Sequence, residues 1–277
     1  MKKFTEKQTR SYYNNDDIIY RSFWDKGGNC HWGYFPTDDI SFGRAMVELN
    51  NKMLALSGIN EKSTVLDLGC GNGNNSFFIH HKTGAKVFGI DLSDARIQNA
   101  QAELVQFDSA TKKKISFTQS SATKLSFGKE SFSHVWSQAT LYHVHDKKKA
   151  LGEVSRVLKK GGIFVFDDLI KPNKKVGKDA EKLVYERLLF DTHYTIVSYQ
   201  EELEKLGFRI LYAEDISRHY ALSYWKLADI LEQKIKKGEY KEFHDKYRKL
   251  IAAYRKTWGI MERGDVGWAL FLTQKVK

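Results

Sequence analysis

Proline is almost absent from this chain, two residues in 277, so no proline-rich linker divides it. Cysteine is equally scarce. Cys30 and Cys70 are the whole supply, and Cys70 lies inside a glycine-rich run that a bridge would distort. No disulfide framework is expected, which points to a reducing, cytoplasmic setting. No uninterrupted apolar stretch is long enough to span a bilayer. The start, Met1 to Lys7, is charged and leads into no apolar run, so a signal peptide is not expected either.

What is present is an ordinary globular balance, 42% hydrophobic and 29% charged. The length suits one large domain, or a domain of about 150 residues with additions. Lysine and arginine number 45 against 34 acids, for a net charge of +11. The basic residues fall in short scattered runs, such as 112–114 and 147–149, and arginines do not interleave with aromatics. That pattern reads as a lysine-rich surface, and no stable nucleic-acid partner is expected. Aromatic residues, 13% of the chain, cluster near the N-terminus and in the C-terminal third.

The hydrophobic period organises the rest. Residues 1–60 look helical and amphipathic, interrupted by a loop at Lys26-Gly27-Gly28-Asn29. Short apolar strands follow at 64–68, 86–90, 115–117, 132–136 and 163–166. Helices are expected from Ser76, over 94–107 behind Ser93 as N-cap, and over 147–158, closed by Gly161-Gly162. Helices near 178–190 and 199–206 precede a strand at 208–213, and a last strand covers 267–272. Strands alternating with helices in this way mean βαβ units. The expected fold is therefore α/β: a doubly wound, mostly parallel, seven-stranded, Rossmann-like sheet. Four segments are expected: an N-terminal helical lid (1–60), an α/β core (61–215), a helical insertion capping the substrate (216–262), and the last core strand (263–277).

The first strand runs into Gly69-x-Gly71-x-Gly73, where bare backbone can approach a ligand closely. The third glycine follows the second by two residues, not the three of the dinucleotide fingerprint. Asp67, inside the strand, would repel a pyrophosphate but attract a cation. Asp91 ends the second strand, where a carboxylate can accept hydrogen bonds from both hydroxyls of a ribose. Together these features suit S-adenosylmethionine, which carries a sulfonium and an ammonium group.

The run from Val65 to Gly73, Asp91 and the glycine pair before the fifth strand resemble class I S-adenosylmethionine-dependent methyltransferases. The resemblance covers residues 60–170. It implies that Asp67, Gly69, Gly71 and Gly73 serve the methionine end and Asp91 the ribose, with Leu92, Ser121, Ala122 and Ser137 also at the cofactor. Family members often carry an Asp after the third strand for the adenine amino group; here that position is Ser121. The product would be S-adenosylhomocysteine.

The flanks resemble the sarcosine/dimethylglycine and phosphoethanolamine methyltransferase type. The residues that carry this are the run Tyr12-Tyr13-Asn14-Asn15-Asp16-Asp17, then Tyr20, Phe23-Trp24 and His31-Trp32-Gly33-Tyr34, the run Trp136 to His143, and Gly267 to Phe271. Such a resemblance implies a lid closing over the cofactor and a tyrosine of the lid paired with a histidine after the fourth strand. Those positions fall on Tyr12 and His143, with Tyr13 as the alternative lid residue. Tyr20, Trp24, His31, Trp32 and Tyr34 either contact substrate or pack the lid on the core. His143 is either an acid/base or orienting group, or a structural histidine.

The expected activity is methyl transfer to a small-molecule acceptor, an amine nitrogen first, by in-line displacement. A lipid, quinone or sterol-like acceptor remains the alternative. RNA methylation is weakened because the segment after the fourth strand, Ser137-Gln138-Ala139-Thr140, holds no proline. A cofactor-binding protein without transferase activity is a further rival. No metal is expected, since no cluster of Asp, Asn or His follows the fourth strand. Monomer and homodimer both stay open.

Overall fold

The fold comes from a computed structural model that describes residues 4–172, 174–190 and 194–277, with the backbone alone for 15–18. Residues 1–3 and the side chains of Asn15, Asp16 and Asp17 from the N-terminal run therefore lie outside the described residues.

Seven strands form one sheet in the order β3-β2-β1-β4-β5-β7-β6. They are β1 (Thr64–Leu68), β2 (Lys86–Asp91), β3 (Ile115–Gln119), β4 (Phe132–Ser137), β5 (Leu158–Ile170), β6 (Phe208–Asp215) and β7 (Gly267–Lys275). The first five pair in parallel, while β7 runs antiparallel to β5 and β6. This is the doubly wound sheet that the alternating pattern predicts. The chain reverses strand order at β1, so β1 and β4 flank the switch point where such sheets hold their ligands.

Ten α-helices accompany the strands among the described residues: α1 (Glu6–Phe23), α2 (Phe42–Ser57), α3 (Asn74–Thr83), α4 (Asp94–Leu104), α5 (Ser109–Lys112), α6 (Lys147–Val157), α7 (Lys178–Ala180), α8 (Ile196–Lys205), α9 (Ser217–Lys236) and α10 (His244–Glu262). Local chemistry sets their ends. Thr5 and Gln8 form a reciprocal cap at the start of α1. Ser93 accepts from the Arg96 amide at the start of α4, as its position predicts. Gly58, at φ 68°, closes α2 in the left-handed region.

Successive strand residues point to opposite faces. Val65, Val87 and Val165 join Met46, Leu49 and Met53 of α2 in one core. Leu66, Val135, Phe164 and Phe166 join Leu151 and Val154 of α6 in the other. Both faces of the sheet are covered, which is why its strands read as short continuous apolar runs.

Three local expectations change. The glycine pair does not close α6: that helix ends at Val157, and Leu158 already pairs with Phe132. Gly161 (φ 79°) and Gly162 lie instead in the irregular stretch where the β4–β5 register shifts. The helix expected at 178–190 shrinks to α7 and a π-helical stretch, Glu181–Glu186. The single helical stretch before the last strand is two helices, α9 and α10, packed on each other. No described helix is long and apolar enough to cross a membrane.

Candidate active site

The carboxyl ends of β1, β2 and β4 open onto a cavity of about 970 Å³, counting the solvent at its mouth. Helix α1 and the segment 28–31 form its other wall.

The glycine loop forms the floor. Gly69 and Gly71, at φ 81° and 54°, line the cavity with bare backbone. A Cβ on Gly69 would lie 2.2 Å from the Thr140 hydroxyl, so only glycine fits there. Gly73 does not line the cavity; it packs α3 against the sheet, and a Cβ would lie 2.6 Å from the Phe117 ring. The Gly69 and Cys70 amides both donate to the Ile90 carbonyl, fastening the loop to the end of β2.

Asp91, the last residue of β2, lines the cavity. Its two oxygens accept from the Gly71 and Ser93 amides, at 2.9 and 2.8 Å. Burial raises its pKa above the ordinary carboxylate value, opposed by Arg96 and by these amides. Leu92, Ser121 and Ala122 continue the wall beyond it.

Asp67 is placed differently from the expectation. It does not line the cavity. It shares the strand face of Val65, and its carboxylate accepts from the Ser76 hydroxyl at 2.6 Å, in the first turn of α3. Burial pushes its pKa up to about 7. The acid therefore ties β1 to the helix behind the loop. Ser137 is likewise turned away, its hydroxyl donating to the Leu68 carbonyl.

At the other end of the cavity the structure pairs His143 with Tyr13, not with Tyr12. The Tyr13 hydroxyl lies 2.5 Å from His143 Nε2. The Tyr12 hydroxyl pairs instead with Tyr20, at 2.7 Å, and lines no part of the cavity. Burial, with Lys147 and Arg96 nearby, lowers the His143 pKa to about 3, so the imidazole is neutral. Burial raises that of Tyr13, so its phenol keeps its proton and can donate to the ring.

Among the expected lid residues, His31 lines the cavity, whereas Tyr20, Trp24, Trp32 and Tyr34 do not. The Trp24 indole donates to the His31 carbonyl. Trp32 is fully packed among Tyr142, Tyr220 and Trp268. Tyr34 packs against His219 with the ring planes tilted at 39°. These rings pack the N-terminal segment against the core.

Several site residues escaped the sequence reading. Arg96, buried in the wall, lies 4.5 Å from the Tyr13 ring centroid and within 3.5 Å of Cys30 Sγ. Asn50, Asn75 and Gln138 close a ring of three amide hydrogen bonds that joins α2, α3 and the β4 loop. Asp167, on β5, accepts from Ala139 N and Trp268 Nε1, holding Ala139 in the left-handed region at φ 50°. Only Gln138 and Ala139 lie in a run that the sequence singles out, Trp136 to His143, and spacing carries no signal for the others.

S-adenosylmethionine fits these residues. Asp91 matches a ribose, and the bare glycine loop allows a ligand to approach the backbone closely. His31 adds a further match. Its Nδ1 faces the Trp32 carbonyl at 2.9 Å, which leaves Nε2 as an acceptor, and among the described residues that buried atom has no partner. An ammonium or amine donor would satisfy it.

Comparison with known proteins decides the family. Residues 59–219 match the model of the methyltransferase domain. The chain belongs to the methyltransferase family. Its seven-stranded sheet is the class I, Rossmann-like form, whose methyl donor is S-adenosylmethionine. The methyltransferase is 28% identical over 218 residues to a sarcosine/dimethylglycine N-methyltransferase of Halorhodospira halochloris, covering 76% of this chain and 77% of that one. It is also 28% identical over 229 residues to a glycine/sarcosine/dimethylglycine N-methyltransferase of Actinopolyspora halophila. That match covers 81% of this chain but spans only 40% of the relative's length. In fold, the methyltransferase superimposes on a protein of Galdieria sulphuraria described as a putative sarcosine dimethylglycine methyltransferase. The TM-score is 0.83 at 20% identity, over 96% of this chain and 99% of that one.

Proposed function

We propose that this protein transfers the methyl group of S-adenosylmethionine to the nitrogen of a small amine. The contact between Tyr13 and His143 at the end of the cofactor cavity carries this reading. The bound cofactor supplies an electrophilic methyl group on a positively charged sulfur. The protein's part is to present an unprotonated amine with its lone pair in line. The Tyr13 hydroxyl donates its hydrogen bond to His143 Nε2, which leaves a lone pair on the phenol oxygen to accept from the N–H of an acceptor that has one. A neutral imidazole favours orientation over proton storage. Asp91 holds the ribose, while the Gly69 and Gly71 backbone and His31 hold the methionine end.

Arg187 does not line the cavity, but as a partly buried cation beside Tyr224 it is, in this reading, the group that would meet an amine that also carries an acid. Its Nη2 donates to the Tyr224 hydroxyl at 3.0 Å, and its guanidinium lies 5.5 and 5.7 Å from the Tyr224 and Tyr254 ring centroids. Among the described residues no carboxylate pairs with it. Two relatives are named for acceptors of this kind, glycine, sarcosine and dimethylglycine. The cellular setting in this reading is the cytoplasm.

The test measures S-adenosylhomocysteine release with a panel of amino acids, phosphorylated amines, quinones and sterols. Turnover is expected with an acid-bearing amine, and Tyr13→Phe and His143→Ala should each lower kcat at least tenfold with little change in cofactor affinity. Turnover on a sterol or quinone alone, or unchanged kcat in both variants, would overturn the reading.

A further inference from the structure

We infer that Glu6, in the first turn of α1, reads the adenine amino group of the cofactor in place of the acid that the sequence lacks after β3. The inference rests on the assignment of S-adenosylmethionine to this cavity, and not on the identity of the acceptor.

The sheet orders the cavity. The glycine loop lies at the end of β1, Asp91 at the end of neighbouring β2, and Ser120 to Ala122 just beyond β3. A nucleoside whose ribose meets Asp91 and whose amino-acid end meets the glycine loop must place its base over residues 120–122. Ser121 cannot replace a carboxylate there. Its hydroxyl donates to Glu6 Oε1 at 2.5 Å and accepts from the Thr123 amide at 3.1 Å. The Thr123 hydroxyl also approaches Oε1, at 3.2 Å. The two hydroxyls hold a carboxylate that comes from the other end of the chain, and Glu6 itself lines the cavity. Among the described residues no hydrogen bond reaches Oε2. Fixed in this way, Glu6 has a free acceptor oxygen at the base end.

A carboxylate there selects for a donor. It accepts a hydrogen bond from the adenine amino group and repels the carbonyl oxygen that replaces that group in hypoxanthine. Because Glu6 belongs to α1, the same contact fastens the lid. Helix α1 is otherwise tied near the cofactor by Arg10 and Asn14, which reach Asp94 and Ser93, and by Tyr13 on His143. Recognition of the base is therefore coupled to lid closure before any acceptor binds.

Calorimetry with S-adenosylhomocysteine and S-inosylhomocysteine tests this. The native protein should prefer the adenosine compound by about tenfold or more, the range of a hydrogen bond to a charged group. In Glu6→Ala the preference should fall close to one. The ratio within a single variant is insensitive to a partial loss of folded protein. Amide hydrogen exchange in α1 should slow on adding S-adenosylhomocysteine and slow less with the inosine analogue. An undiminished preference in Glu6→Ala would overturn the inference while leaving the cofactor assignment intact. Failure of the native protein to bind either compound would overturn both.

Discussion

Tyr12 and Tyr13 are neighbours in sequence, but a helix turns about 100° between them. On α1 that rotation sends Tyr13 to His143 and Tyr12 to Tyr20. Motif spacing brings a tyrosine pair to the site; only the helix's orientation on the core chooses the member. The two acids behave in the same way. Asp67 shares the face of Val65 and is drawn under the N-terminus of α3, where partial positive charge favours it. Asp91 ends its strand facing the cavity. Asp91→Ala should therefore weaken S-adenosylhomocysteine binding at least tenfold by calorimetry. Wild-type affinity in that variant would remove the ribose assignment.

Among the elements, the junction of β1 and α3 is the most constrained. Gly73 caps α3 at φ 83°, and a Cβ there would lie 2.6 Å from the Phe117 ring and 3.1 Å from the Ala100 Cβ. A side chain there meets both backbone strain and overpacking. Gly73→Ala should cost about 2 kcal/mol or more in urea unfolding, a loss that appears with no ligand present. If stability is unchanged but cofactor affinity falls, Gly73 serves the ligand directly, as the family resemblance implies, and not the packing.

For the whole molecule, the N-terminal segment and the α9–α10 pair pack on the sheet through buried aromatics, and His31 is buried beside them. Burial lowers its pKa to about 4 from an ordinary value of 6.5. A histidine with a depressed folded-state pKa contributes stability that is present above its unfolded pKa and lost as pH falls through the folded one. Between pH 6.5 and 4 that contribution is about 3 kcal/mol. His31→Gln should therefore lose less stability than the native protein when urea unfolding is compared at pH 7 and pH 4.5. Equal losses would show that His31 does not remain neutral and buried.

The sequence by itself determined the sheet, its strands and the glycine loop, and its resemblance to a known family implied the methyl donor. These are legible because apolar period and positive-φ glycines are local properties, encoded within a few residues of where they act. The helix start at Ser93 is of the same kind. The tertiary structure alone decided which tyrosine meets His143, that Asp67 and Ser137 turn away from the cavity, and that Trp24 and Trp32 are joints in the packing. It also brought Glu6 to Ser121 across 115 residues, and Asn50 to Gln138 across 88. Such contacts depend on how helices rotate and dock on the finished sheet, and no pattern of neighbours along the chain records that.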